Sequence, residues 1–175
     1  MKAKKLSNSD IILLSYLRGD ARLNLTRISS ETGIPISTLF DKLKKLEQGV
    51  ILKKTALLNF NILGYEIRIM LLLKTKEEEA ENVKRILKAS QYVNSAYVVS
   101  DDHNFFVDAV FRNMSEYFNF LKSLNGKVIE KKEHFIIERI KEEDFLTQPQ
   151  LFKMLDNEPK KLITPLYYGS IPKTA

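Results

Sequence analysis

Residues 33–51 read GIPISTLFDKLKKLEQGVI, and this stretch decides how the first part of the chain folds. Pro35 suits the first turn of a helix, because its missing N–H would have no intrahelical partner there. The periodicity predicts that this helix runs to about Gln48, since three leucines recur at i, i+4 and i+7 and share one buried stripe. Those leucines are Leu39, Leu43 and Leu46.

The side of this helix that faces away from the leucines is polar and basic. A helix with small hydroxyls at its start and lysines on its outer face can enter the major groove of DNA, with its first residues at the base edges and its lysines near phosphates. A solvated basic helix bundle is the alternative, because exposed lysines usually face only water. The candidate DNA contacts on this helix are Ser37, Thr38, Asp41, Lys42, Lys44 and Lys45, of which Lys42 lies beside the buried stripe.

Two short helices are predicted before this one. Ser7 and Asp10 have the spacing of a helix start, and Gly19 ends the helix that they begin. A second helix is expected over residues 24–32, with Gly33 as its stop.

The stretch GVILKKTA at residues 49–56 is rich in β-forming residues, which predicts a short hairpin or wing after the third helix. Its Lys53 and Lys54, together with Arg22 ahead of the second helix, complete the candidate DNA contacts. Three short helices followed by a basic wing describe a winged helix-turn-helix, and we assign it to residues 1–60.

The positive charge of the chain is concentrated in this region. The whole chain has 28 lysines and arginines and 22 aspartates and glutamates, a formal net charge of +6. Residues 1–60 hold 11 of those bases and 5 of the acids, so the whole excess lies there and the remaining residues are neutral. This asymmetry predicts an anionic partner for the N-terminal segment, and double-stranded DNA is the first candidate.

Composition argues against several other classes of protein. The chain has 175 residues, of which 44% are apolar and 29% charged, as in a globular protein rather than a disordered one. It has no cysteine, which excludes disulfides and fits a cytoplasmic location. No apolar run approaches the ~18 residues of a membrane span. Phosphate-loop, dinucleotide and hydrolase motifs are absent, so we expect no catalytic residue, cofactor or metal.

Residues 61–145 show a second pattern, in which strands and helices alternate as β-α-β-β-α-β. This order is the split βαβ, or ferredoxin-like, arrangement of a four-stranded antiparallel sheet with two helices on one face. The fold class is therefore α+β. The predicted strands are residues 66–75, 92–99, 104–112 and 128–140, and the predicted helices are residues 77–90 and a second helix that Ser115 caps and Gly126 ends.

The first and third predicted strands are apolar on both faces. On the first strand, Met70 and Leu72 lie on the face opposite to Ile67, Ile69, Leu71 and Leu73. On the third, Phe106 and Val110 lie on the face opposite to Phe105, Val107, Ala109 and Phe111. Helices can cover only one face of the sheet, so the second face needs another cover. We expect a homodimer that packs sheet against sheet.

These segments together resemble the leucine-responsive and asparagine-synthetase regulator (Lrp/AsnC) family of transcription factors, over roughly residues 6–142. The resemblance implies a DNA-binding helix-turn-helix joined to a ligand-sensing dimerisation domain, with dimers that often assemble into octamers. Such members respond to amino acids or related metabolites. The matching positions are Leu6, Asp10, Leu13, Leu14, Leu17, Asp20-Ala21-Arg22, Gly33-Ile34, Thr38-Leu39, Lys42-Leu43, Leu46-Glu47, Gly49-Val50-Ile51 and Leu63-Gly64-Tyr65.

The chain departs from the family pattern in its recognition helix. The family usually has Ser at the N-cap, where this chain has Pro35, and Arg where it has Lys42. Lysine keeps the charge but loses the bidentate fork, so a phosphate contact survives there more easily than a base-specific one.

A second departure lies in the loop where the family binds its effector. Members tend to have Gly-x-x-Asp there, and an aspartate in place of the glycine would crowd the effector, while two carboxylates would repel the effector's own carboxylate. We therefore expect that the protein senses no ordinary neutral amino acid in this loop, or that it senses a different effector. The candidate effector contacts are Ser100, Asp101, Asp102, His103 and Asn104.

Two functions are alternatives to that of a DNA-binding regulator. His103-Asn104-Phe105-Phe106 is similar to a loop in sirohaem decarboxylases of the same architecture, but the chain has no clear arginine cluster for a tetrapyrrole. A metabolite-binding module without DNA binding is the other alternative.

Residues 146–175 form an extension, in which a short helix is expected at residues 150–155 and docking on a neighbouring subunit is favoured.

Overall fold

A computed structural model describes residues 5–100 and 103–148 of the chain. They form two compact units, residues 5–56 with residues 141–148, and residues 57–140. The predicted helix at residues 150–155, Asp101 and Asp102 lie outside the described residues. The elements are α1 (Asn8–Gly19), α2 (Leu25–Thr32), α3 (Ile36–Glu47), β1 (Ile67–Thr75), a 3₁₀ turn (Glu77–Glu79), α4 (Ala80–Ala89), β2 (Val93–Val98), β3 (Phe105–Phe111), α5 (Met114–Ser123) and β4 (Val128–Phe135).

The first unit is a three-helix bundle with one apolar core. Ser7 caps α1 in a capping box with Asp10, as predicted, and Gly33 ends α2 in the left-handed conformation (φ 73°) that favours glycine. Pro35 precedes α3 as its N-cap instead of lying in the first turn, because its ψ of 140° is extended. The fully enclosed core side chains are Leu13, Leu14, Ile28, Leu39 and Leu46.

The predicted wing hairpin is wrong. Residues 51–59 are described throughout and contain no strand or helix. The backbone N–H groups of Gly49, Val50 and Ile51 all donate to Leu46 O, so the start of the segment folds back to close the end of α3. Leu52 then turns outward with 91% of its surface exposed. A strand needs a partner strand to satisfy its backbone groups, and residues 5–56 offer no second strand.

Residues 141–148 belong to the same unit as the three helices. Arg18 on α1 donates from Nε to Phe145 O at 3.0 Å, and its guanidinium pairs with Glu143 Oε2 at 3.0 Å. After β4, Glu143 and Phe145 therefore contact α1.

The second unit confirms the ferredoxin-like prediction. Its strands run in the order β2-β3-β1-β4 and all neighbours are antiparallel. Leu71 on β1 lies opposite Val107 on β3, and both side chains are fully buried. Alternate residues of these strands pack against α4 and α5, and their cluster includes Val83, Leu87, Tyr117 and Phe120.

The other face of the sheet is less apolar than the sequence predicted. Met70, Leu72 and Phe106 are half-buried on it, but Asp108 occupies its centre. The Asp108 carboxylate accepts from Arg68 Nε at 2.9 Å, from the Arg68 guanidinium again at 2.8 Å and from Asn94 Nδ2 at 2.7 Å. Three donors satisfy this charge, so a polar network interrupts the apolar surface.

The end of β4 and the cap of α5 differ from the prediction, and residues 77–79 of the predicted helix form a 3₁₀ turn. β4 ends at Phe135 instead of residue 140, because its partner β1 begins at Ile67 and the final bond runs from Ile136 N to Arg68 O. The cap of α5 is Asn113, whose Oδ1 accepts from Glu116 N at 3.0 Å, and not Ser115. No helix among the described residues is long and apolar enough to cross a membrane.

Candidate nucleic-acid interface

The exposed face of α3 carries most of the predicted DNA contacts. Leu39 and Leu46 are fully buried and Leu43 is packed beside them, so the rotation of the helix is fixed. No acid lies in its first turn, and two lysines lie in its last turn, where they complement the helix dipole. The exposed predicted residues are Ser37, Thr38, Asp41, Lys44 and Lys45.

Lys42 does not share that face. Its Nζ lies 2.7 Å from Asp10 Oδ1 and 2.9 Å from Ser7 Oγ, and only 21% of its side chain is exposed. The lysine therefore ties α3 to the first turn of α1, which is a structural role.

The pKa of the Asp10 carboxylate shows how strongly this contact favours the charged form. Partial burial acts to raise the pKa of Asp10, but hydrogen bonds from Lys42 and Ser7 outweigh it and lower the pKa from 3.8 to about 2. Ser7 contributes both its backbone N–H, at 2.8 Å, and its hydroxyl, at 2.6 Å. The charged form of Asp10 thus stabilises the packing of α1 on α3.

Three predicted basic contacts lie outside α3. Arg22 is exposed in the turn between α1 and α2, where Asp20 Oδ1 accepts from its backbone N–H at 2.9 Å. Lys53 is exposed on the segment after α3. Lys54 Nζ pairs with Glu47 Oε1 at 2.5 Å, and both side chains are 43% exposed.

Sequence reasoning missed two exposed apolar side chains on α3. Ile36 is 48% exposed and Phe40 is 59% exposed, and neither packs against the core of the bundle. Helical phase gives only a partial signal, because it sets Phe40 about 100° from Leu39 but sets Ile36 only about 20° from Leu43.

The described residues of the predicted effector loop have different surroundings. His103 is buried, with Nε2 3.7 Å from Glu130 Oε1. Asn104 immediately precedes β3 and is held to the end of β1, because its Oδ1 accepts from Thr75 N at 2.7 Å and from Thr75 Oγ1 at 3.1 Å. Ser100 is exposed. Within the described part of the chain, no three His, Asp or Glu side chains are grouped as metal ligands.

A helix-turn-helix bundle with a basic third helix, followed by a split βαβ sheet, defines a class of transcriptional regulator. An uncharacterised HTH-type transcriptional regulator of Pyrococcus furiosus is 30% identical over 147 residues, which cover 83% of this chain and 99% of the relative. The leucine-responsive regulatory protein of Haemophilus influenzae is 25% identical over 151 residues, which cover 82% and 90%. No protein-family model matches the sequence.

A solved structure agrees with these relatives at the level of the fold. AsnC of E. coli superposes with a TM-score of 0.71 at 17% identity, over 79% of this chain and 97% of that one. The chain belongs to the Lrp/AsnC family of HTH-type transcriptional regulators, and it is a DNA-binding regulator. The relatives are regulators by name, so the sirohaem decarboxylase alternative is not favoured.

The Asp10–Lys42 pair predicts a pH-dependent stability. Asp10 has a lower pKa when folded than when unfolded, so its contribution is complete above about pH 4 and is lost as the pH falls toward 2. We expect Lys42→Ala to lower the free energy of unfolding by about 1 to 2 kcal/mol, measured by urea denaturation at pH 7. Asp10→Asn should flatten the pH profile between 4 and 2. Lys44→Ala, on the exposed face, is the control, and an equal loss for Lys44→Ala would contradict the assignment.

Proposed function

We propose that α3 is the recognition helix and enters the major groove of double-stranded DNA. Ser37 and Thr38, at its start, face the base edges, while Lys44 and Lys45 lie near the phosphates. The observation that carries this proposal is the buried leucine stripe, because it holds a basic face of α3 outward. Asp41, on the same exposed face, can accept a hydrogen bond from a cytosine amino group.

We propose Arg22, Lys53 and Lys54 as phosphate contacts that flank the recognition helix. The Lys54–Glu47 pair is open to solvent, and such surface pairs contribute only ~0 to 1 kcal/mol. Exchanging Glu47 for a phosphate therefore costs little. Lys42, held by Asp10, supports the position of α3 rather than the DNA itself.

We propose a homodimer in which the helix-free faces of two sheets meet. Tyr97 and Phe106 stack on this face with ring centroids 6.4 Å apart, beside Met70 and Leu72. Further apolar side chains are exposed in the segment before β1, at Leu52, Leu57, Leu58, Ile62 and Leu63. Two copies double the basic charge that faces DNA and supply two recognition helices for two half-sites. Dimers of this kind can assemble further, to an octamer.

We propose that the loop before β3 binds no neutral amino acid. His103 is buried and Asn104 Oδ1 already accepts two hydrogen bonds from Thr75, so neither the imidazole nor this amide oxygen is presented to a ligand. Asp101 and Asp102 add negative charge to the same loop. The absence of cysteine fits the reducing cytoplasm, where we propose that the regulator acts without a catalytic role.

The salt dependence of DNA binding tests the phosphate contacts. Each phosphate neutralised contributes about −0.9 to the slope of log K against log salt concentration, so Lys44→Ala and Lys54→Ala should each lessen the slope by about one on all sequences. Ser37→Ala should instead change the sequences recovered from a random duplex library. Lys122→Ala, exposed on α5, is the matched control. Unchanged slopes for both Lys44→Ala and Lys54→Ala would contradict the proposed docking.

The mass in solution tests the sheet-to-sheet dimer. Light scattering at micromolar concentration should give at least twice the chain mass of 20.3 kDa. Phe106→Asp should shift the mass toward the monomer, because it places a charge in the proposed interface. Phe118→Asp, on the exposed side of α5, is the control. A 20 kDa species for the unmodified chain would exclude the dimer.

Calorimetry tests the effector proposal. Titration with each of the twenty amino acids should give no micromolar binding of leucine, glutamine or another neutral amino acid. Binding of a neutral amino acid that Asp101→Gly leaves unchanged would locate an effector site elsewhere. Binding that Asp101→Gly strengthens would show that the loop is an effector site after all.

A further inference from the structure

Two large apolar side chains are exposed on α3, between the buried leucine stripe and the polar face of the helix. Ile36 and Phe40 lie one turn apart on α3 and are 48% and 59% exposed. Residues at i and i+4 are neighbours on a helix surface, so the two side chains form one small apolar patch. The bundle core contains Leu39 and Leu46, with Leu43 packed against them, but neither member of the patch.

The patch borders the residues proposed to face DNA. At about 100° per residue, Phe40 lies about 40° around the helix from Lys44 and about 60° from Ser37. Ile36 precedes Ser37 in the first turn. Ile36 lies about 100° from Ser37 and about 80° from Lys44. A groove that receives Ser37 and Lys44 therefore also receives Phe40, while Ile36 lies at the edge of that contact, toward Leu43.

The floor of the major groove offers one apolar group to such a patch. Base edges present hydrogen-bond donors and acceptors, except that thymine also presents its C5 methyl. An aromatic or aliphatic side chain that meets this methyl removes both surfaces from water.

We propose that Phe40 and Ile36 contact thymine methyl groups in the major groove and are specificity-determining residues of this regulator. The inference rests on the proposed function, in which α3 is the recognition helix. A protein partner could also cover an apolar patch, but Lys44 and Lys45 lie on the same helix and the whole charge excess lies in residues 1–60. That charge complements a polyanion, which favours DNA as the occupant.

Replacing thymine with deoxyuridine tests the contact directly, because it removes the methyl and leaves base pairing unchanged. A duplex is first selected from a random library with the full chain, and each thymine is then replaced in turn. Fluorescence anisotropy should show about a fourfold weaker Kd at one or more positions, the effect of one buried methyl. Phe40→Ala or Ile36→Ala should abolish the difference at its own position.

Two controls separate the contact from loss of structure. Phe118→Ala, which removes an exposed phenylalanine from α5, should keep the full difference between thymine and deoxyuridine. Phe40→Leu should keep part of it. Because Phe40 is largely exposed, Phe40→Ala should unfold at nearly the same temperature as the unmodified chain.

Failure of this inference differs from failure of the proposed function. If the chain binds its selected duplex but no deoxyuridine weakens it, or if the selected sites contain no thymine, the methyl contact is wrong while the docking of α3 stands. If Phe40→Ala lowers the mass in solution and leaves the thymine response intact, the patch is a protein interface. If the chain binds no duplex at all, the proposed function itself is overturned.

Discussion

Burial of Leu39 and Leu46 is the interaction on which the DNA-facing surface depends. Both side chains are enclosed with Leu13 and Ile28, and burying a leucine contributes about 1.5 to 3 kcal/mol. Turning α3 by one residue, about 100°, would expose this stripe and bring the lysine side toward the core. The core therefore selects which residues of α3 face outward. The Asp10–Lys42 pair adds a second constraint, because it fixes α3 along α1 as well as in rotation.

The packing of the second unit depends on a different constraint, which is the alternation of side chains along its strands. One face of β1 and β3 is apolar except for Thr75 and closes against α4 and α5. The other face combines apolar residues with the Arg68–Asp108 pair, which runs diagonally across the two strands. A buried ion pair contributes little net stability, but breaking it leaves a charge without compensation. Because the pair joins residues diagonally across the two strands, a slip of register would leave both charges without their partner.

Local signals in the sequence predicted most of the fold. The capping box at Ser7, the left-handed Gly33 and the leucine stripe of α3 each act within a few residues, and the structure confirms them. The failures concern partners that are distant in the sequence. The wing after α3 had no second strand to pair with, and β4 ends where β1 begins. Asn113 and Ser115 are both suitable caps, and the end of β3 at Phe111 favours the earlier one.

The same limit explains which features of the candidate site could be predicted. Exposed lysines are visible in a helical pattern, whereas the role of Lys42 depends on Asp10, 32 residues earlier. The patch of Ile36 and Phe40 is apolar, so a pattern alone favours burial, and only the packed bundle leaves the two side chains exposed.

On the proposed docking, α3 divides recognition between two kinds of contact. Lys44 and Lys45 act on phosphates that every sequence presents, and salt weakens such contacts by restoring counterions to DNA. Phe40 and Ile36 act on methyl groups through removal of apolar surface from water, which salt in this range hardly changes. Raising the salt concentration therefore lowers affinity for all sequences but preserves the ratio between thymine and deoxyuridine. Affinity and specificity are thus separable properties of neighbouring residues on one helix.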